Sequence, residues 1–369
     1  MIRPAPNTLS LYLSLQLESL RGVSAIVVLF SHCFQAFIAP FDLTLYSWVR
    51  LLGQAAVMMF FALSGYLIGT SIQNNIQQNS QFNLSHYIRQ RCRRILPPFL
   101  FALTLTLTLY ILAPYFFSSH THQFQNSFGM MIRITYSLEW DNFLGSLFFL
   151  NGFVTPTLSA NAPLWSLSFE VWFYVLAGFL PFLKHSVIAK LSFALVLITL
   201  TALNPQFLIY LLVWLTAFAS SFGHIQQYVL NHLNSLKLGC LSLAFFIACR
   251  DAYHFHMIDQ AKIYRGNYFV PFNTLIGLAF VCWMIQLQQK LSYYQPVWVK
   301  SASFSYTLYV THFPLLLFIL GCFPQSRAYG LGGAVLALVA TMLVLVLLAS
   351  LMAKLLEPQQ RKALSRSMQ

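Results

Sequence analysis

The chain has 369 residues, 58% of them hydrophobic, 16% aromatic and only 8% charged, with a mean hydropathy of +0.67. Soluble domains carry about a quarter charged residues, so this composition excludes one and points to an integral membrane protein. A net charge of +13 would suggest nucleic-acid binding in a soluble protein, but here Lys and Arg fall between apolar segments, as membrane topology requires; the expected partner is the lipid bilayer and no nucleic acid.

The first residues, through Gly22, lack a compact basic region leading into an apolar run with a small-residue cleavage site, so the first apolar helix is expected to be retained. Apolar segments follow at 22–41, 49–71, 97–117, 164–183, 187–203, 205–222, 236–250, 267–289, 302–322 and 329–356. At about 20 residues a helix crosses a core of roughly 30 Å. No ten-residue strands of alternating polarity occur, which excludes a β-barrel. The expected fold class is therefore all-α, a polytopic membrane helix bundle of about ten transmembrane helices. Phe143–Val154 is too short to cross and is followed by Pro156 and Pro163, so it is expected to be a short re-entrant or interfacial segment on the outer side.

With both termini cytoplasmic, Lys and Arg favour the inner side fifteen to six; counting 143–154 as a full span would invert everything after it. One membrane domain, 17–357, is expected between short cytoplasmic tails, 1–16 and 358–369, with no separate soluble domain and no internal repeat. Gln73–Gln81 reads as a solvated connector, and Ser118–Asp141 and Arg250–Tyr268 as the longer outer loops. Six cysteines form no CxxC pair, so neither a disulfide framework nor a metal site is expected.

Ionisable groups inside spans are costly and are candidates for function. Three stand out: Glu170, His32 and His312. At about 1.5 Å per residue, both histidines lie roughly 15 Å from the inner edge and Glu170 roughly 9 Å from the outer one, which puts all three near one level. A carboxylate against an imidazole would raise its basicity and orient it as a general base. Ser166, Glu170 and Tyr174 form one polar stripe, and Ser305, Tyr309 and His312 another. Helix–helix hydrogen bonding would account for the same side chains. Arg21 and His32 are eleven residues apart, about three turns, and so share a helix face roughly 16 Å long.

Two further signals lie towards the cytoplasmic side. Arg89, Arg91, Arg93 and Arg94 precede Pro97-Pro98; the cluster suits a topogenic lipid anchor, or a site for the phosphates of a nucleotide-bearing acyl donor. Ser64-Gly65-Tyr66, with Gly69 a turn later, suits close helix packing, or the passage of a narrow ligand arm.

Five ordered motifs then resemble one family. They are Leu17-Glu18-Ser19-Leu20-Arg21-Gly22 with His32; Phe60-Phe61-Ala62-Leu63-Ser64-Gly65-Tyr66-Leu67-Ile68; the basic stretch Arg91 to Pro97; Trp165-Ser166-Leu167 with Glu170 and Phe173-Tyr174; and Ser305-Tyr306 through His312 to Pro314. Together they resemble the acyltransferase-3 family of integral-membrane O-acyltransferases. Glu18 stands where the family has Asp, Tyr66 where it has Phe, and Gln90 where it has the first of two arginines. The extra extracytoplasmic esterase-like domain of some members is not expected here, because the sequence ends at Gln369.

The resemblance implies transfer of an acyl group, commonly acetyl, from cytoplasmic acyl-CoA as co-substrate to a hydroxyl of a carbohydrate or glycolipid acceptor at a bacterial inner membrane. On that reading Arg21, Arg89, Arg91, Arg93 and Arg94 hold the coenzyme A phosphates, and the pantetheine arm passes Ser64 and Gly65. His32 acts as base with Glu170 orienting it, and His312 and Tyr174 assist; an acyl-histidine and a direct transfer remain equally open. Acceptor choice is expected to lie in Ser118–Pro163 and Arg250–Tyr268. A proton-coupled transporter of sugars or lipid-linked intermediates is the competing reading of the same buried groups.

Overall fold

The computed structural model describes residues 11–125, 133–223, 227–254, 269–290, 292, 294, 296, 298–327 and 329–357. Among these residues there are eleven α-helices and no β-strand. They are α1 (Leu11–Phe37), α2 (Leu43–Asn79), α3 (Leu84–Phe116), α4 (Trp140–Leu147), α5 (Leu164–Phe179) and α6 (Val187–Leu203), then α7 (Pro205–Ser220), α8 (Gln227–His254), α9 (Val270–Gln288), α10 (Ser305–Cys322) and α11 (Gly330–Leu356). Eight, counting adjoining 3-10 turns, are long and apolar enough to cross a membrane; α6 and α7, of 17 and 16 residues, are shorter apolar helices. Each of the ten segments read from the sequence thus coincides with a helix among the described residues, the short 236–250 lying inside the 28-residue α8.

A helix satisfies its backbone within the segment, which is why apolar runs with no access to water adopt it. The starts are marked by polar caps. Asp42 accepts from the amide of Leu45 (2.8 Å), Asn83 from that of His86 (2.9 Å), and Asn204 from that of Gln206 (3.0 Å), with Pro205 as the first helical residue of α7. The centre of the bundle is built from α1, α2, α5, α7 and α10, while α6 and α11 lie outside it. Ile188, Leu195, Leu336, Leu343 and Leu355 are exposed on those outer helices, as a lipid-facing surface requires.

Two boundaries differ from the sequence reading. The polar stretch from Gln73 continues α2 for two further turns, because Gln73 bonds to Gly69 and Ser221 oxygens and Asn75 to the Asn83 carbonyl. Residues 11–16 of the expected N-terminal tail are already helix, and Gln16 donates to the Tyr294 carbonyl. Residues 1–10 and 358–369, and 255–268 of the second long loop, lie outside the described residues.

The short apolar segment folds back against the bundle. Helix α4 and the returning chain, 148–163, dip beside α3 and α5, where Phe149 stacks on Phe99 (4.5 Å) and its carbonyl accepts from Trp172 Nε1 (2.9 Å). Irregular backbone inside a membrane must be satisfied by neighbours. Asn204 Nδ2 donates to the Gly152 carbonyl (2.8 Å), Ser168 donates to Asn151, and Asn161 Nδ2 donates to the Val310 carbonyl (2.9 Å). That last carbonyl belongs to the residue four before Pro314, whose missing N–H leaves it free. Asn161 therefore caps the break that Pro314 makes in α10.

Candidate active site

Two cavities lie at opposite ends of the central helices. The first, about 550 Å³, opens away from the arginine cluster and contains His32 in its wall. His32 Nδ1 lies 3.3 Å from Gln35 Oε1, a contact that suits the tautomer with the proton on Nδ1 and the lone pair on Nε2. Behind it is His312, 1% exposed, with ring centres 5.3 Å apart. His312 Nδ1 donates to the carbonyls of Leu308 and Tyr309 (3.0 and 2.8 Å), and its buried Nε2 has no hydrogen-bond partner among the described residues. In these tautomers each ring presents an unprotonated Nε2. The remaining wall mixes amides, aromatics and two arginines, Arg50 and Arg133.

The second cavity, about 50 Å³, lies at the basic end between Arg21, Arg91, Arg94, Ser64, Glu170 and Tyr174. A directed chain of hydrogen bonds runs through it. Trp214 Nε1 donates to Ser64 Oγ (3.2 Å), Ser64 donates to the Tyr174 hydroxyl (3.1 Å), and Tyr174 donates to Glu170. Each hydroxyl is committed as donor to the next group, and the chain ends on the carboxylate. Arg21 pairs with Glu18, and Arg91 Nη2 donates to Ser71 Oγ (3.0 Å); the buried Nε of each has no partner among the described residues. Arg94 is within electrostatic reach of Glu18, Glu170 and Glu357. Beside Arg91 lies a polar cleft of about 250 Å³ lined by Asn74, Gln78, His86 and Gln90.

Tyr309 is common to both cavities. Its hydroxyl meets Ser166 Oγ at 2.6 Å and donates to the Pro163 carbonyl (3.1 Å), and Phe60 packs edge-on against its ring. This group is the partition between them.

The sequence candidates therefore divide. His32 and His312 come together, as do Glu170, Tyr174, Ser64, Arg21, Arg91 and Arg94, but the two groups do not. The expected contact of Glu170 with His32 is absent: Glu170 accepts from Tyr174, and His32 faces Gln35 and His312. The cause is the chain returning from α4, which sets the start of α5 level with Val310 through Asn161. From the Ser166–Tyr309 contact, Glu170 lies four residues towards one end and His312 three towards the other. That is a separation of about 10 Å in depth.

Arg89 and Arg93 are exposed and do not line the cavity; Arg91 and Arg94, one turn apart, face it. Gly65 is also absent from the cavity. A Cβ there would sit 2.3 Å from the Trp214 carbonyl, so this glycine serves the close approach of α2 to α7. The sequence reading missed Gln35, Arg50, Arg133, Asn161 and Glu357 as site residues. Tyr309 was visible in a polar stripe, but its place at a partition was not.

Comparison with known proteins agrees with this arrangement of motifs. A family model described as an acyltransferase domain, acyltransferase-3, matches residues 14–353. The O-acetyltransferase OatA of Staphylococcus aureus strain NCTC 8325 is 24% identical over 304 residues, which is 74% of this chain and 48% of that protein. The OatA proteins of strains COL and N315 match with the same figures. The chain thus spans about half the length of the curated relatives it matches. No solved structure matches it.

Proposed function

This chain belongs to the acyltransferase-3 family, and from that premise we propose that it moves an acyl group, acetyl by the name of its relatives, from cytoplasmic acyl-CoA to a hydroxyl of a cell-envelope carbohydrate. The observation that carries the reading is the pair of cavities set along α1 and separated by Tyr309, with Arg21 in one and His32 in the other.

The small volume of the basic cavity decides how a donor would fit. At about 50 Å³ it has no room for a nucleotide, and a narrow arm enters only by displacing the side chains around it. The adenine and phosphates belong outside it, against exposed Arg89 and Arg93 and in the Asn74–Gln90 cleft, while Arg21, Arg91 and Arg94 face the arm's phosphate end. From Arg21 to His32 is about 16 Å along the helix, a length suited to pantetheine. His32 Nε2 then takes the proton of an acceptor hydroxyl in the large chamber. The hydroxyl oxygen bonds to the thioester carbon, the carbon–sulfur bond breaks, and the sulfur leaves to be protonated as free CoA. Gln35 holds the ring through Nδ1, in the place where the sequence motifs alone would put Glu170. Glu170 instead anchors the Tyr174–Ser64 chain opposite the arginines.

The reading favours a bacterial inner membrane with both termini cytoplasmic, since its relatives are bacterial and its basic residues gather at one end. Its test is CoA release and ester formation by the purified protein in nanodiscs with acetyl-CoA and envelope glycans. His32→Ala, shown to insert normally, is expected to lose at least about 100-fold in rate. Transfer at the wild-type rate would sink the base assignment, and solute flux without thioester cleavage would favour a transporter.

A further inference from the structure

The larger chamber has a chemical character that acyl transfer alone does not require. Its described lining includes Arg50, Arg133 and His32 and no Asp or Glu. Arg50 and Arg133 bring two guanidinium groups into this wall. Here they are positioned by aromatic rings: Arg50 lies over Phe269 at 4.6 Å and Arg133 over Phe313 at 5.9 Å, with Arg133 Nε donating to Ser159 Oγ (3.2 Å). His32 packs against the same Phe313 ring at 5.0 Å. Base and guanidinium thus flank one ring, within the span of a small saccharide.

The neutral part of the wall suits sugar hydroxyls. Asn273 Nδ2 donates to Gln54 Oε1 (3.0 Å) and the Tyr210 hydroxyl (2.8 Å), while its buried Oδ1 has no partner among the described residues. Trp165 and Tyr210 supply apolar faces, and about 550 Å³ is within the range of a ligand pocket. Amides for hydroxyls, aromatic faces for a ring and two guanidinium groups for an anion together define one ligand class.

We propose that this chamber binds an anionic saccharide, a sugar carrying a carboxylate or a phosphate, with Arg50 and Arg133 on the anion and Asn273 on a hydroxyl. Calling that ligand the acceptor rests on the acyl-transfer reading; its binding does not. Arginine forks read carboxylate and phosphate alike, and a cavity of one sign concentrates such ligands.

The experiment uses the full chain in nanodiscs and three probes: methyl β-D-glucuronide, glucose 1-phosphate and methyl β-D-glucoside. Calorimetry or tryptophan fluorescence at low and high salt is expected to show one or both anions binding about tenfold tighter than the glucoside, the advantage shrinking with salt. Which anion wins separates carboxylate from phosphate. Arg50→Gln with Arg133→Gln should bring the anion-to-glucoside ratio close to one, and the corresponding Lys pair should restore part of it. Equal binding of all three by the wild-type protein, or no binding at millimolar concentration, overturns the proposal even if the variants misfold. CoA release is read in the same preparations. Anion preference without thioester cleavage would keep the binding site and sink acyl transfer; cleavage without anion preference would do the reverse.

Discussion

Glu357 stands just past the last turn of α11, 4% exposed, with one carboxylate oxygen accepting from the Thr307 amide (2.9 Å) and hydroxyl. Burial pushes its carboxyl above the ordinary value, and the Thr307 bonds and the charges of Arg21 and Arg94 pull back only part of the way. A raised folded value means that the group's contribution to stability is complete below the ordinary carboxylate range and is lost as pH rises through the folded value. Glu357→Gln stays neutral and keeps an oxygen for Thr307. Its melting temperature in nanodiscs is therefore expected to exceed the wild type's at pH 8, with the two converging towards pH 4. A gap that widens on acidification would reverse the assignment. Nothing in the sequence marks this residue, which sits between an apolar run and a polar tail. The same is true of Arg50 and Arg133, which enter the sequence reading only as charges on the outer side. Glu170 and His32 were found because a lone ionisable group inside an apolar run is conspicuous by itself. Which of them touch was not legible.

At the scale of elements, α10 and the chain returning from α4 depend on each other. Pro314 removes the donor for the Val310 carbonyl, and Asn161, fully buried, supplies another at 2.9 Å. Asn161→Ala leaves that carbonyl unsatisfied away from water, at a cost of about 1–3 kcal/mol. Pro314→Ala returns an amide to the same carbonyl, so the two substitutions should be non-additive: in the Pro314→Ala background the loss caused by Asn161→Ala should be much smaller. Melting of the four proteins in one lipid composition measures the coupling, and additive losses would show that the contact carries no such role. The same contact explains what the sequence could and could not tell. Helices were legible because each apolar run of about 20 residues has one way to satisfy its backbone, and Phe143–Val154 was legible as a segment too short to cross. Depth was not, because counting inward from Leu164 assumes that α5 begins at the surface. Asn161 pins the preceding turn to the middle of α10, and Glu170 moves with it to the arginine end.

Across the whole molecule, two chambers with different chemistry meet at one side-chain pair. Wild-type chemistry as proposed forms one ester per CoA released, which requires that water in the large chamber stay away from a thioester arriving from the basic end. Tyr309, held by Ser166 at 2.6 Å and by the Pro163 carbonyl, with Phe60 at its edge, fills that opening. Tyr309→Ala removes the ring and joins the cavities. CoA release without acceptor is then expected to rise several-fold while ester formed per CoA falls well below one. Tyr309→Phe keeps the ring and loses only the hydroxyl bonds, so its leak should be smaller. Thiol titration against labelled-acetyl incorporation, on variants with unchanged melting temperature, reads both quantities. An intact one-to-one ratio in Tyr309→Ala would mean that the barrier lies elsewhere, with Phe60 and Trp165 the next side chains to truncate. A leak graded from Phe to Ala would instead place the control of water at the junction where α5 and α10 meet, one turn from His312 and one turn from Glu170.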